Sequence, residues 1–181
     1  MTEVPEMFGA ETLLMNRAKD EATFHKVVDL INGFKEYFIR HGQVVYENPS
    51  PGNKEGGITT LEDKSLGCTQ KGGSSPVVDV LGLGEHAKEH GLNLLDGPGN
   101  DLVAVTMLPC AHAHLILFTT GRGNPIGNAV MPCLKLTGNP DTYAAMTEFF
   151  DFSAVQVLRG EQSVEAAGLA LYERALELCG G

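Results

Sequence analysis

The stretch from Leu92 to Thr119 alternates between short apolar runs and a helix-forming segment, and this alternation constrains the fold more than any other feature. Leu92–Leu95 is predicted to be a strand, and the glycine-rich turn Asp96–Asn100 follows it. Asp101–Cys110 is typical of an apolar helix, and His114–Thr119 of a second strand. A strand–helix–strand unit implies two parallel strands joined by a right-handed crossover.

Helical patterns flank this unit on both sides. The spacing of Phe24, Val27 and Ile31 predicts a helix from Asp20 to Arg40, with one apolar stripe at 3.6-residue spacing. Further helices are predicted over Gly9–Lys19, Thr60–Lys71, Ser74 or Ser75 to His90, and Ser163–Leu178. Another helix is predicted to begin at Asn139–Asp141, and a strand is predicted over Cys133–Leu136. We therefore predict an α/β fold with a mainly parallel sheet flanked by helices, Rossmann-like and three-layered, in a single domain over residues 1–181.

Charge and composition exclude several classes of function. The net charge of −10 argues against nucleic-acid binding, because phosphates require a basic face, and it disfavours anionic membrane surfaces. No apolar run approaches the roughly 20 residues that span a bilayer. The acidic N-terminus lacks a signal-peptide pattern, so we expect a cytoplasmic protein with reduced thiols. The four cysteines lack chelating spacing, which predicts that they form no structural zinc site.

Three loops follow the predicted strands, and ligands of open parallel sheets bind at the carboxyl ends of strands. These loops are Asp96–Asn100, Gly121–Asn124 and Gly138–Asp141. Asn100 is a candidate substrate-binding residue, and capping of the following helix is the alternative. Arg122 suits a carboxylate or phosphate, and a surface turn arginine is the alternative. The loop around Arg122 opens no helix and lacks a Walker-type lysine, which disfavours nucleotide binding.

The segment from Asn48 to Gly73 concentrates amides, hydroxyls, lysines and carboxylates between glycines. Amide and hydroxyl groups suit the hydroxyls of a polyhydroxylated acid, and lysines suit its carboxylate. A solvated loop is the alternative interpretation. The candidate residues are Asn48, Ser50 and Asn53 for substrate binding, and Glu62, Lys64 and Lys71 for catalysis.

Cys110, His112 and His114 raise the question of a metal site. Alternate residues share a face only on a strand, and this segment spans a helix end and a strand start. Core or capping histidines are therefore favoured, and no metal ligands are assigned from the sequence.

Several stretches together resemble one family. Residues 47–73 read ENPSPGNKEGGITTLEDKSLGCTQKGG, which resembles the signature of altronate and galactarate dehydratases. Pro98–Asp101 and Leu117–Gly123 resemble two later signatures, and Thr2–Glu11 resembles the family sequence just upstream. The likeness covers nearly the whole chain in the right order. The chain thus resembles the C-terminal domain of this family.

The resemblance implies a carbon–oxygen lyase of the cytoplasm. Family members remove water from hexaric or hexonic acids to give a 3-deoxy-2-keto acid, and they generally depend on a divalent metal such as iron(II) or manganese(II). They carry a small N-terminal domain and a middle domain before this region. We therefore expect a small-molecule sugar acid as ligand, upstream domains or a partner subunit as partners, and an isolated chain that is incomplete as an enzyme. Homo-oligomer formation is left open.

Dehydration of a sugar acid requires a base for the proton next to the carboxylate, stabilisation of the enediolate, and an acid for the leaving hydroxyl. Residue chemistry suggests Lys64 and Lys71 for carboxylate binding or proton transfer, Glu62 as a base or metal ligand, and Asn48, Asn53 and Arg122 as orienting groups. Two alternatives remain. Asn124–Asn128 resembles the corresponding loop of sulfolactate sulfo-lyase-like proteins, and the isolated chain could be an inactive ligand-binding or assembly module.

Overall fold

A computed structural model describes residues 1–45 and 48–180 of the chain. Glu47, the first residue of the signature stretch, lies outside the described residues. The chain divides into two compact units, which we call the first unit (Met1–His112) and the second unit (Ala113–Gly181). The single domain expected over residues 1–181 stays a prediction.

The first unit contains five α-helices and a pair of parallel strands among its described residues. Its elements in chain order are a 3₁₀ helix (Val4–Met7), α1 (Glu11–Met15), α2 (Glu21–Arg40), α3 (Pro51–Glu55), α4 (Leu61–Gln70), β1 (Val77–Leu81), β2 (Leu92–Leu95) and α5 (Asp101–Cys110). The register of the strand pair places Val80 beside Leu94 and Leu81 beside Leu95.

The core of the first unit forms where α2 packs against the strands and the 3₁₀ helix. Val27 and Ile31 of α2 are fully buried together with Phe8, Val77 and Leu94. Asp20 caps α2, since its carboxylate accepts a hydrogen bond of 2.7 Å from the amide of Thr23. The predicted helix from Asp20 to Arg40 is therefore confirmed. Val27 and Ile31 of its apolar stripe pack into the core, whereas Phe24 is exposed.

The second unit contains a three-stranded parallel sheet with β4 in the centre. Its elements in chain order are β3 (Ile116–Thr119), β4 (Cys133–Thr137), α6 (Pro140–Ala145), a 3₁₀ helix (Thr147–Phe149), β5 (Phe152–Ser153), α7 (Val155–Leu158) and α8 (Val164–Gly180). Phe118 of β3 lies beside Lys135 of β4, and Leu136 lies beside Phe152 of β5. None of the helices in residues 1–45 and 48–180 has the combination of length and apolar character that crossing a bilayer requires.

The α/β class with parallel strands and flanking helices is confirmed, and two sequence-based predictions about its elements are wrong. The predicted helix from Ser74 or Ser75 to His90 is replaced by β1, because Val77, Val78 and Val80 favour an extended backbone. The predicted crossover from β2 through α5 to β3 does not build one sheet. Instead β2 pairs with β1, and β3 pairs with β4.

Candidate active site

A half-buried lysine organises a polar cluster in the first unit. The ammonium of Lys64 lies 2.7 Å from the side-chain oxygen of Asn48, 3.0 Å from that of Asn53 and 3.0 Å from Oε2 of Glu6. The side chains of Lys64 and Glu6 are only 18% and 17% exposed. We call these four residues the Lys64 cluster. Because an ammonium has three donors, all three N–H groups of Lys64 are engaged.

Glu6 is the acidic centre of the Lys64 cluster. In addition to the ion pair with Lys64, its Oε1 accepts a hydrogen bond of 3.1 Å from the side-chain amide of Asn48. Its Oε2 also lies 3.7 Å from the thiol of Cys68, which donates to it. Three side chains of the signature stretch therefore converge on one carboxylate that lies outside that stretch.

Ser65 fixes α4 against the segment that carries Glu6. Its hydroxyl is buried, donates to the carbonyl of Met7 at 2.6 Å and accepts from the amide of Ala10 at 3.0 Å. The carbonyl belongs to the last residue of the 3₁₀ helix and the amide to the residue before α1, and the serine satisfies both backbone groups in the interior. Lys64 directly precedes Ser65 in the chain. The two hydrogen bonds of Ser65 therefore help to set the distance between Lys64 and Glu6.

The N-terminal residues reach the site because they pair with β2. The amide of Leu95 donates to the carbonyl of Met1 at 2.8 Å, and the amide of Val4 donates to the carbonyl of Gly97 at 2.9 Å. This pairing brings Glu6 beside the loop after β2. A Cβ atom on Gly99 would lie 3.5 Å from Oε1 of Glu6. The loop Asp96–Asn100 and the segment Asn48–Gly73 therefore both border Glu6.

Glu3 and Asp101 form a pair of carboxyl groups near Glu6. Burial raises the pKa of Glu3, and the nearby charge of Lys71 opposes this shift. The charges of Glu6 and Asp101 and a hydrogen bond to Asp101 raise the pKa further. Glu3 also has a backbone φ of 67°, which side chains with a Cβ rarely adopt. Strained residues of this kind concentrate at functional sites.

We expect Glu3→Gln to stabilise the first unit at neutral pH. A carboxyl group with a raised folded-state pKa stabilises the fold below its unfolded pKa, and this contribution is lost as the pH rises through the folded pKa. Glutamine keeps the hydrogen bond and removes the buried charge. The free energy of unfolding should therefore exceed that of the parent chain at pH 8, and the two should converge towards pH 4. Urea titrations at both pH values, with the exposed Glu36→Gln as control, measure this difference, and an equal gain at both pH values would contradict the assignment.

Cys68 completes the surroundings of Glu6. Burial raises the pKa of its thiol, Lys71 and Lys64 lower it, and Glu6 and Glu3 raise it. Sequence reasoning missed Glu3, Glu6, Cys68 and Asp101 as site residues. Thr2–Glu11 already resembled the family, and the two acidic residues within it were the signal that could have directed attention to Glu3 and Glu6.

The other predicted site residues of the first unit are Ser50, Asn100, Glu62 and Lys71, and they lie outside the Lys64 cluster. Ser50 is exposed and donates to the Asn53 side-chain oxygen at 3.0 Å. Asn100 caps α5, because its side-chain oxygen accepts from the amide of Val103 at 3.2 Å. Glu62 is exposed in the first turn of α4, and Lys71 is exposed and close enough to influence Glu3. Their catalytic and substrate-binding roles stay predictions.

Arg122 belongs to the second unit, in the loop after β3. The prediction that Asp96–Asn100, Arg122 and Asn48–Gly73 line one cleft therefore stays a prediction. A cavity of about 500 Å³ does lie at the carboxyl ends of the strands of the second unit, where Thr119, Thr137 and Asn139 border it. Its lining residues are uncharged, so it offers no counter-charge to a carboxylate.

A divalent cation requires several carboxylate, histidine or cysteine ligands that converge on one point. Across residues 1–45 and 48–180, no group of three or more histidine, cysteine, aspartate or glutamate side chains is arranged to hold a metal ion. The carboxylates around Lys64 engage lysine, amide or carboxyl partners instead. These residues by themselves therefore do not fit a metal site, and no chemical step below is assigned to a metal.

Comparison with known proteins gives the context of this site. A protein-family model described as "D-galactarate/Altronate dehydratase, C-terminal" matches residues 1–181. Altronate dehydratase of Bacillus subtilis is 62% identical over 154 residues, which are 85% of this chain and 31% of the relative. Galactarate dehydratase (L-threo-forming) of Escherichia coli is 30% identical over 180 residues, which are 99% of this chain and 34% of the relative.

A relative with a different name also matches. The beta subunit of (2R)-sulfolactate sulfo-lyase of Chromohalobacter salexigens is 33% identical over 182 residues, covering 99% of this chain and 47% of the relative. The chain thus spans about a third of the length of the dehydratases and about half of the sulfo-lyase subunit. Since the family model matches residues 1–181 of the chain, the chain belongs to the family of C-terminal domains of D-galactarate/altronate dehydratases.

Proposed function

We propose that the chain supplies part of the active site of a sugar-acid dehydratase, a hydro-lyase that converts altronate- or galactarate-type acids to 3-deoxy-2-keto acids. The observation that carries the proposal is the Lys64 cluster. It gathers an ammonium, two amides and a carboxylate from the stretch that resembles the family signature and from the N-terminal segment. Elimination next to a carboxylate requires a base, charge stabilisation and an acid, and these groups can supply part of that set.

The two carboxyl environments suit the two proton transfers. In the proposed reaction Glu6 removes the proton next to the substrate carboxylate, and the electron pair then expels the neighbouring hydroxyl. Glu3, whose pKa is raised by burial and by Asp101, is the candidate acid that protonates that hydroxyl so that water leaves. The resulting enol then takes up a proton at C3 and becomes the 3-deoxy-2-keto acid. Neighbouring carboxyl groups in unlike environments are a recurring arrangement for such acid–base pairs.

The lysines have different parts in this proposal. Lys64 is engaged by three acceptors, so it acts as a positioning residue for Glu6, Asn48 and Asn53. Lys71 is exposed at the end of α4 and near Glu3, so its ammonium is the candidate for binding the substrate carboxylate. The side-chain amides of Asn48 and Asn53 orient the substrate hydroxyls.

The remaining parts of the enzyme belong to the same proposal. We infer that the divalent cation expected from the family, iron(II) or manganese(II), takes its ligands at least partly from outside the described residues. The partners are a sugar acid and the rest of the enzyme, supplied as further domains or as a partner subunit. The beta-subunit relative supports the second arrangement. The proposed location is the cytoplasm.

We expect the 181-residue chain alone to show no useful dehydration of altronate or galactarate. Groups displaced by about 1 Å can lose on the order of 100-fold in rate, and a partial site lacks some groups altogether. The assay measures 3-deoxy-2-keto acid formation with added iron(II) or manganese(II). It compares the chain alone with a fusion of the chain to the part of the Bacillus subtilis relative that the chain does not match. We call the joined protein the completed enzyme. Robust turnover by the chain alone would show that the site is complete without further domains.

Sulfolactate is the second candidate substrate, because the sulfo-lyase beta subunit matches 99% of the chain. The elimination would be analogous, with sulfite leaving in place of water. The same assay with (2R)-sulfolactate, read as sulfite release, separates the two functions. Sulfite release without keto-acid formation from altronate or galactarate would replace the dehydratase proposal.

A further inference from the structure

Lys135 is a buried ammonium in the middle strand of the second unit. The residue is 7% exposed on β4. Its Nζ lies 5.0 Å from the ring centre of Phe118 on the neighbouring strand and 5.3 Å from that of Phe149. Ring faces attract cations, and this attraction grows when water is excluded. Lys135 has no role in the dehydration reaction proposed above.

The hydrogen bonds of Lys135 go to the loop that carries Arg122. Its ammonium donates to the backbone carbonyl oxygens of Asn124 and Ile126. Burying an ammonium costs several kcal/mol unless other groups replace its water. Here two carbonyl groups of a single loop do so, and the loop conformation is therefore coupled to the presence of the charge.

Other contacts fix the same loop on either side of Arg122. The Thr142 hydroxyl donates to the carbonyl of Gly121 at 2.8 Å, and the amide of Gly123 donates to the Thr120 hydroxyl at 3.1 Å. Gly123 has a φ of 87°, and a Cβ there would lie 2.8 Å from the Met146 methyl carbon. The backbone before and after Arg122 is thus held by side chains of β4 and α6 and by the residue that follows β3.

We propose that Lys135 is a positioning residue that holds the Gly121–Asn128 loop so that Arg122 can bind a carboxylate group of a sugar acid. The inference rests on the proposed function, because it takes a sugar acid as the ligand. A guanidinium binds a carboxylate through two parallel hydrogen bonds, and this geometry is lost when its backbone moves. Lys135 itself does not contact the ligand.

The test uses the 181-residue chain with galactarate as the probe. Lys135→Met removes the charge and keeps an apolar side chain, and the exposed Arg159→Met of the same unit is the matched control. In Lys135→Met, the amides of Gly123 and Ile126 should exchange with solvent about 10-fold faster, while amides of the first unit are unchanged. Galactarate affinity should fall about 10-fold, the size of one lost charge-assisted contact of about 1.4 kcal/mol.

A double-mutant cycle separates positioning from a general structural effect. Arg122→Gln should also weaken galactarate binding about 10-fold, and adding Lys135→Met should weaken it no further, because the guanidinium that Lys135 positions is already absent. Independent losses in the double mutant would overturn the inference. Normal galactarate binding by Lys135→Met, despite faster amide exchange in the loop, would overturn it as well.

Two further variants cover the other outcomes. If Lys135→Met unfolds the second unit, Thr142→Val removes a different tether of the same loop, and it should produce a smaller loss of the same kind. Unchanged binding in Thr142→Val with a loosened loop would overturn the inference. Normal galactarate binding by Arg122→Gln would also overturn the inference. The galactarate affinity of Lys71→Met, a variant of the first unit, then tests the proposed function separately.

Discussion

Replacing Lys64 with methionine should lower the turnover of the completed enzyme at least about 100-fold. The substitution keeps a side chain of similar length but removes the ammonium that Asn48, Asn53 and Glu6 share. The proposed base then loses the partner that fixes its direction, and both amides are free to reorient. The measurement is kcat for 3-deoxy-2-keto acid formation at saturating altronate and galactarate.

Lys54→Met is the matched control for this substitution. Lys54 is an exposed lysine of α3 in the same signature stretch, and its replacement should leave kcat within about twofold of the parent value. Thermal unfolding of both variants distinguishes a lost catalytic arrangement from a lost fold. If Lys64→Met, still folded, retains as much turnover as Lys54→Met, the Lys64 cluster is not part of the active site.

Replacing Phe8 with alanine should reduce the stability of the first unit by about 3–5 kcal/mol, the usual cost of removing a buried aromatic ring. Phe8 is 1% exposed and packs edge-to-face on Phe38, with ring centres 6.3 Å apart. The ammonium of Lys35 also lies 5.3 Å from the centre of its ring. A cavity at this position cannot be filled without moving α2 against the 3₁₀ helix that carries Glu6.

Phe24→Ala gives the comparison for Phe8→Ala. Phe24 lies on α2 but is 37% exposed, so its removal should cost about 1 kcal/mol. Urea unfolding followed by amide signals of α2 reports on the first unit alone, which avoids mixing the transitions of the two units. Equal costs for the two substitutions would mean that Phe8 is not a core residue.

Local patterns in the sequence predicted the helices well where one face is apolar and the ends are capped. The helix at residues 21–40 is an example, because its stripe and the cap at Asp20 depend only on neighbouring residues. The segment after Pro76 was misjudged as helical. A serine–proline start signal competes there with three valines, and pairing with β2, a long-range interaction, favours the strand.

The candidate site was predictable in part for the same reason. Asn48, Asn53 and Lys64 lie in one dense polar stretch, and the structure brings them together. Glu6 and Glu3 lie near them because residues 1–4 pair with the strand and loop at residues 95–97. No local periodicity carries that information, since the pairing of distant segments is decided by burial and backbone hydrogen bonding in the folded chain.

The sequence separations within the Lys64 cluster affect how the site forms during folding. The hydrogen bond from Asn48 to Glu6 spans 42 residues, and that from Cys68 to Glu6 spans 62. Contacts of this range require closure of long loops before any of them is stabilised, so they form late and slowly. Helix α2 can form from local interactions, whereas the carboxylate of Glu6 meets Asn48 and Cys68 only after loops of 42 and 62 residues have closed. A refolding chain can therefore contain most of its helix before the Lys64 cluster has formed.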